Sequence, residues 1–263
     1  MNIVVDRSHW GRLRVTGADR VRFLQGLTTI NVEKLDAGDG PTHAWGAILN
    51  PKGRVLSVVD LARVGDALIV HCEHSIADKT RALLEKYAVM DDVTFEPLAG
   101  PIHQVWDDDP ASVWTAPFVP GDHPHQLPEN DPIVERLRIH AGFLRYGCDV
   151  DEDHFPFETP LVALLDYDKG CYVGQEPVFR VHAQGNSARL LRGFVVEGIA
   201  PLPQHAPIKH PAKDHAGDVT SQVAGDAGTT LALGYLHRTA WEPGSIVEID
   251  GRRATVHALP FQS

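Results

Sequence analysis

The sequence predicts an α+β protein that ends in a small antiparallel β-barrel or sandwich. Three observations carry this reading. Residues 45–97 read β-β-β-α-β, a compact α+β unit. From Arg189 onward the chain breaks into short β-like runs separated by prolines and glycines. Between the two, Asp131-Pro132 is a helix start, with Asp as cap and Pro in the first turn.

In chain order, Thr16 to Asp19 followed by Arg20–Gln25 predicts a capped short helix, stopped by Gly26, with Val21 and Leu24 sharing its buried face. Asn50-Pro51-Lys52-Gly53 is a turn that joins the apolar run Trp45–Leu49 to a strand at 54–62. Leu68–Cys72 is a further strand. Ser75 with Asp78 resembles a capping box for a helix to Tyr87, whose inner face carries Ile76, Thr80, Leu83, Leu84 and Tyr87. A strand at 92–96 completes the unit. Residues 107–130, rich in Asp, Pro and His, read as an exposed connecting loop. The helix from Asp131 places Ile133, Leu137, His140 and Ala141 on one face and ends at Gly142. A short helix starts at Thr159-Pro160, and another helical piece runs to about Ala183. The last strands are 191–197, 218–223, 231–236, 246–250 and 253–258, with Asp250-Gly251 as a hairpin turn.

The bulk numbers narrow the function classes. The net charge is −11, and no local basic run offsets it, so direct nucleic-acid binding is not expected. No apolar run approaches the roughly 20 residues that span a bilayer, and Met1–Trp10 has no signal-peptide core; a cytoplasmic location is expected. Three widely spaced cysteines, Cys72, Cys148 and Cys171, form no CxxC pair and give neither a disulfide framework nor a metal site. His123-Pro124-His125 reads as a solvated loop.

Cys171 has the most reactive context. It is flanked by Gly170 and Gly174, and Gln175-Glu176-Pro177 after it looks like a helix start. The helix dipole, Lys169 and Arg180 would favour its thiolate, making it a nucleophile, a redox thiol or a soft-metal ligand. The bland alternative is a small buried cysteine in a glycine-rich connection.

The octapeptide Lys169-Gly170-Cys171-Tyr172-Val173-Gly174-Gln175-Glu176, followed by Arg180, resembles the K-G-C-Y-x-G-Q-E signature of the YgfZ family. Phe23–Thr29, Asn50–Leu56, Leu137–Gly142 with Pro156-Phe157-Glu158, and Leu231–Leu236 resemble further elements of that family. The resemblance spans most of the chain and is weakest over 98–130 and 200–217.

The resemblance implies the fold of the glycine-cleavage T-protein, an aminomethyltransferase. Two ferredoxin-like units and a C-terminal antiparallel β-barrel would surround a central channel holding tetrahydrofolate or a one-carbon derivative. The expected boundaries are 1–44 plus 98–186 for the folate-binding unit, 45–97 for the second and 187–263 for the barrel. It further implies an accessory protein, monomeric, that supports iron–sulfur cluster assembly or repair in client enzymes, some of which modify tRNA. Cys171 would be the essential thiol, with Lys169 beside it to bind the folate's anionic tail or simply be solvated. Glu158, His140, Gln25, Asn31, Tyr172, Gln175 and Arg180 are the cofactor-binding candidates. For His140 a core position, for Glu158 a helix-dipole role and for Tyr172 plain packing are the competing readings.

Two departures matter. The aspartate pair of T-proteins falls on Ser57-Val58, which cannot act as a carboxylate base, and this argues against aminomethyl transfer. Asp60 is close, but strand alternation leaves its facing open. A glutamate that relatives carry before Ala141-Gly142 is His140 here, and a neutral imidazole cannot accept two bonds from a pterin. A one-carbon transferase using Asp60 or Glu158, and a non-catalytic interaction module, are the rival functions.

Overall fold

The computed structural model describes residues 2–38, 40–185 and 187–261. The chain begins with β1 (Ile3–Asp6) and β2 (Gly11–Thr16), then helices α1 (Arg20–Leu27) and α2 (Val32–Ala37). The strands β3 (His43–Leu49), β4 (Val55–Val64) and β5 (Ala67–Cys72) form an antiparallel meander; α3 (Ala77–Tyr87) and β6 (Thr94–Pro97) follow. Next come β7 (Ile102–Trp106), β8 (Val119–Pro120), α4 (Pro132–Ala141) and α5 (Gln175–Gln184). The last strands are β9 (Arg189–Glu197), β10 (Pro207–His210), β11 (Lys213–Ala224), β12 (Thr229–His237), β13 (Ile246–Ile249) and β14 (Arg252–His257).

These strands make a five-stranded sheet in the order β3-β4-β5-β2-β6, a three-stranded sheet β1-β7-β8 and a closed barrel β10-β11-β12-β9-β14-β13. The sheet that holds residues 45–97 also takes in a strand from before the expected boundary at 44/45. Strand β2 pairs with both β5 and β6, so residues 11–16 belong to the meander's sheet, whereas β1 pairs with β7 across the chain. Such long-range pairing leaves no local mark in sequence.

Strand alternation splits the large sheet into two faces. Val59 and Leu61 of β4 join Leu13, Val15, Leu68 and Val70 beneath Leu24 of α1 and Leu84 of α3. Val58 faces the opposite way, with Trp45, Ala47 and Leu49 of β3. That second face meets Ile102 and Trp106 of β7, Val134, Ile139 and Ala141 of α4, and Leu233 and Tyr235 on the outside of the barrel. All three units thus share one central cluster. Trp45 sits within it, edge to face with Trp10 (6.0 Å), Trp114 (5.8 Å) and Phe143 (5.0 Å).

Several local expectations change. Segment 107–130 is not simply an exposed loop: it buries Val113 and Ala116 and packs Trp114 and Phe118 on the central cluster. Helix α1 runs through Gly26 to Leu27. The inner face of α4 is Val134, Arg138, Ile139 and Ala141, and Ile133 is 55% exposed, so the predicted face is rotated by one residue. Ser75 caps nothing; α3 has no side-chain cap. Asp131 does cap α4, accepting from the Ile133 amide at 2.8 Å, and Gly142 ends it with φ of 65°. Among the described residues no helix is long and apolar enough to cross a membrane.

Candidate functional site

The loop 166–174 is a mount tied down at Asp166, Lys169 and Val173. Asp166 Oδ1 accepts the Asp168 and Lys169 amides at 2.9 and 3.0 Å, an Asx-type turn. Its Oδ2 accepts from Asn31 Nδ2 at 2.9 Å and Lys34 Nζ at 3.0 Å. Burial works against the charge of Asp166, but the bonds from Asn31, Lys34 and the Asp168 amide outweigh it and hold its pKa down to about 2.

Lys169 lies only 7% exposed. Its Nζ donates to the carbonyls of Gln25 (2.8 Å), Thr28 (2.5 Å) and Ile30 (2.6 Å). These acceptors lie at and just past the C-terminal end of α1, where helix carbonyls lack intrahelical partners and a cation is favoured. Burial pulls the ammonium down to about 7 against the upward pull of Asp166 and Glu33. The three carbonyls can be met together only by the charged form, since a neutral amine has two N–H groups. Lys169 is thus fully engaged by backbone and is neither solvated nor offered to an anion.

On the other side of the loop, the Val173 amide bonds the Gly26 carbonyl at 3.0 Å. Gly174 has φ of 81° and caps α5; a Cβ there would collide with the Asn50 carbonyl of the Asn50–Gly53 turn. The close approach of the two glycine turns explains why the octapeptide and the Asn-Pro-Lys-Gly turn occur together. Tyr172 is buried in the central cluster, with its hydroxyl pushed up to about 12 by burial. Cys171, between buried Lys169 and buried Tyr172, is exposed. The glycine-rich connection therefore presents the thiol outward and does not bury it.

A cavity of about 430 Å³ adjoins this mount, within the range of small-ligand sites. Its walls are mainly apolar: Ile30, Leu35, Ala44, Trp45 and Leu164, with Asn31, Lys34 and Asp166 as the polar groups. The indole N–H of Trp45 is buried without an acceptor among the described residues.

Of the sequence candidates, Asn31 lines this cavity. Gln25 lies behind it, its Oε1 accepting the Val32 amide at 2.7 Å. The others lie elsewhere. Gln175 accepts the Tyr172 amide at 3.1 Å and shapes the loop. Arg180 pairs with Glu176 at 2.7 Å on the surface, not with Cys171. Glu158 is 6% exposed; it accepts the Phe155 amide at 3.0 Å and pairs with Arg189 of the barrel at 3.2 Å. His140 lines a separate hollow with Arg136 and Asp226, and its ring lies 4.8 Å from that of Phe261.

Sequence reasoning missed one cluster. Asp60 faces the central junction like Val58, is fully buried, and accepts from His43 Nδ1 at 2.7 Å and His71 Nδ1 at 3.0 Å. His43 Nε2 contacts the Thr115 carbonyl at 2.8 Å. A carboxylate and a carbonyl both accept, so His43 carries protons on both nitrogens. Burial opposes that charge, and the Asp60 bond and field override it, raising the His43 pKa. His71 stacks on Phe118 at 4.1 Å, so this cluster ties segment 110–118 to the sheet. The signal available was register: His71 stands directly across β5 from Asp60, on otherwise apolar strands. Ser57 points to the other side and bonds Thr80 of α3 at 2.8 Å.

No family model matches the chain. It is 26% identical over 162 residues to an aminomethyltransferase of Halothermothrix orenii, covering 59% of this chain and 44% of that protein. It is 28% identical to the tRNA-modifying protein YgfZ of Hamiltonella defensa, over 72% of this chain and 68% of that one. It is 26% identical to the mitochondrial iron–sulfur cluster assembly factor IBA57 homolog of Pyricularia oryzae, over 75% and 58%. The chain thus spans less than half of the first relative and roughly three fifths to two thirds of the others. The crystal structure of glycine cleavage system aminomethyltransferase T from Bartonella henselae superposes with a TM-score of 0.80 at 19% identity, covering 99% of this chain and 86% of that one. This likeness establishes the fold.

Proposed function

We propose that this chain, similar to YgfZ proteins and to the glycine-cleavage aminomethyltransferases, is a tetrahydrofolate-binding accessory protein for iron–sulfur enzymes. Tasks named for its relatives, cluster assembly and tRNA modification, are the settings in which its clients are to be sought. Cys171 is the working thiol.

One observation supports this over one-carbon transfer: the thiol is exposed, while each carboxylate that could serve as an acid is already bound. Asp60 lies between two histidines and Glu158 is paired with Arg189. Positions 57 and 58 carry a hydrogen-bonded serine and a buried valine. A transferase stabilising a developing cation needs a free carboxylate at the reacting atom.

The size and lining of the cavity support the folate reading. Trp45, Ile30, Leu35 and Leu164 offer flat apolar walls to a pterin, and Asn31 offers a polar edge. Reduced folate supplies nitrogens that carry one-carbon units. The Cys171 loop, fixed by Lys169 and Asp166, stands beside this cavity.

Titration of tetrahydrofolate and 5-formyltetrahydrofolate into the pure protein tests the reading; heat of binding at sub-millimolar concentration is expected. No binding of either would favour a non-catalytic interaction module. Cys171→Ala is expected to keep the fold yet fail to rescue iron–sulfur enzyme activity in a cell lacking the gene, and full rescue would remove the thiol from the account.

A further inference from the structure

We infer that Lys34 receives a carboxylate of the ligand in this cavity and, through Asp166, links occupancy of the cavity to the order of the loop that presents Cys171. The folate reading supplies only the identity of the acid.

Among the described residues, Lys34 and Asp166 are the charged groups that line the cavity. Lys34 stands at its rim, 71% exposed, and spends one N–H on Asp166 Oδ2 at 3.0 Å. An ammonium has three donors, so two remain for an incoming anion. Asp166 is saturated: its other bonds go to Asn31 Nδ2 and to the Asp168 and Lys169 amides. Asn31 closes the triangle, its Oδ1 accepting the Lys34 amide at 3.2 Å. Residues 31, 34 and 166 are therefore joined in one hydrogen-bonded set, and Asp166 is the first residue of the loop.

A second carboxylate brought into this apolar space meets Asp166 as a like charge unless a cation lies between. Lys34 is that cation. Donating to both carboxylates, it changes from a single ion pair at the rim to a bridge between them, and the Asp166 anchor of the loop is reinforced. By reciprocity, whatever orders the loop also raises the affinity for the acid. A ring without a carboxylate fills the cavity but leaves Lys34 with Asp166 alone.

The test uses the full-length chain and two probes under nitrogen: 5-formyltetrahydrofolate, whose glutamate tail carries carboxylates, and 6-methyltetrahydropterin, which has a ring without the tail. Calorimetry reads affinity. Iodoacetamide alkylation, read by mass on the peptide carrying Cys171, reads the loop. In the wild type, 5-formyltetrahydrofolate is expected to slow alkylation at least threefold and the pterin to leave it unchanged. Lys34→Gln, on an exposed position that folding tolerates, is expected to weaken the folate about tenfold, the effect of one charge-assisted contact, and to abolish the slowing. Its affinity for the pterin stays as in the wild type, and Lys34→Arg restores both folate effects. If Lys34→Gln binds the folate as the wild type does, or if the folate leaves alkylation unchanged or faster, the link is refuted while the folate reading stands. If neither probe binds the wild type, the folate reading falls and the link with it.

Discussion

Replacing Lys169 by methionine separates a structural ammonium from a ligand-binding one. Methionine keeps much of the apolar stem and deletes the donors to the carbonyls of Gln25, Thr28 and Ile30. Each buried carbonyl left without a donor costs about 1–3 kcal/mol, so the gross loss is about 3–9 kcal/mol. Part returns, because an ammonium at 7% exposure is itself costly to desolvate. Breaking a buried charged contact by removing one partner typically leaves a net loss of about 3–5 kcal/mol, and that is the expected destabilisation. In a chain of this size each kcal/mol moves the midpoint by about 2–4 °C, so the thermal transition should fall by about 10 °C. Urea unfolding monitored by tryptophan fluorescence gives the free energy, with the m-value unchanged. Affinity for 5-formyltetrahydrofolate, measured well below the transition, should change less than about threefold, under 1 kcal/mol. A variant as stable as the wild type but weakened more than about tenfold toward the folate would refute the backbone role of Lys169.

Two further outcomes follow from named contacts. The folded-state pKa of His43 is raised above 6.5, so its contribution to stability is complete below that value and is lost as pH rises through the folded pKa. The urea midpoint of the wild type should therefore lose ground to that of His43→Gln as pH rises from 6 to 9; parallel profiles would contradict the imidazolium assignment. Gly174→Ala forces a left-handed residue, a cost of about 1–2 kcal/mol, and also presses its Cβ on the Asn50 carbonyl, so a total loss above about 3 kcal/mol is expected in denaturant titration.

Local chemistry was legible where the chain signals locally. Asp131-Pro132 with Gly142 bracketed α4, Asp250-Gly251 turned β13 into β14, and the turns, apolar runs and helical spacing of residues 45–97 gave the meander and its helix. What sequence could not carry was partnership. Strand β10 is four residues long with a proline and exists because β11 and β13 flank it in a closed barrel. Segment 107–130 reads as polar loop, yet its few apolar residues fill the space beside Trp45. The same limit governs the site. The octapeptide marked the loop, but the role of Lys169 depends on carbonyls some 140 positions away, and Asp60 was ambiguous until the sheet gave it two histidines.

The arrangement also shows why a carboxylate would fare poorly at position 58. Val58 points into a dry aromatic junction of Trp10, Trp45 and Phe143, where an unpaired carboxylate would be driven to its neutral form. A charge survives at that depth only with partners, and Asp60 shows what they must be: a doubly protonated His43 and a donating His71. Both Asp60 oxygens and both ring nitrogens of His43 are engaged in holding segment 110–118 to the sheet. On the proposed reading the working groups lie at the edge of that junction, where Asp166 of the Cys171 loop lines the cavity and the sulfur is exposed.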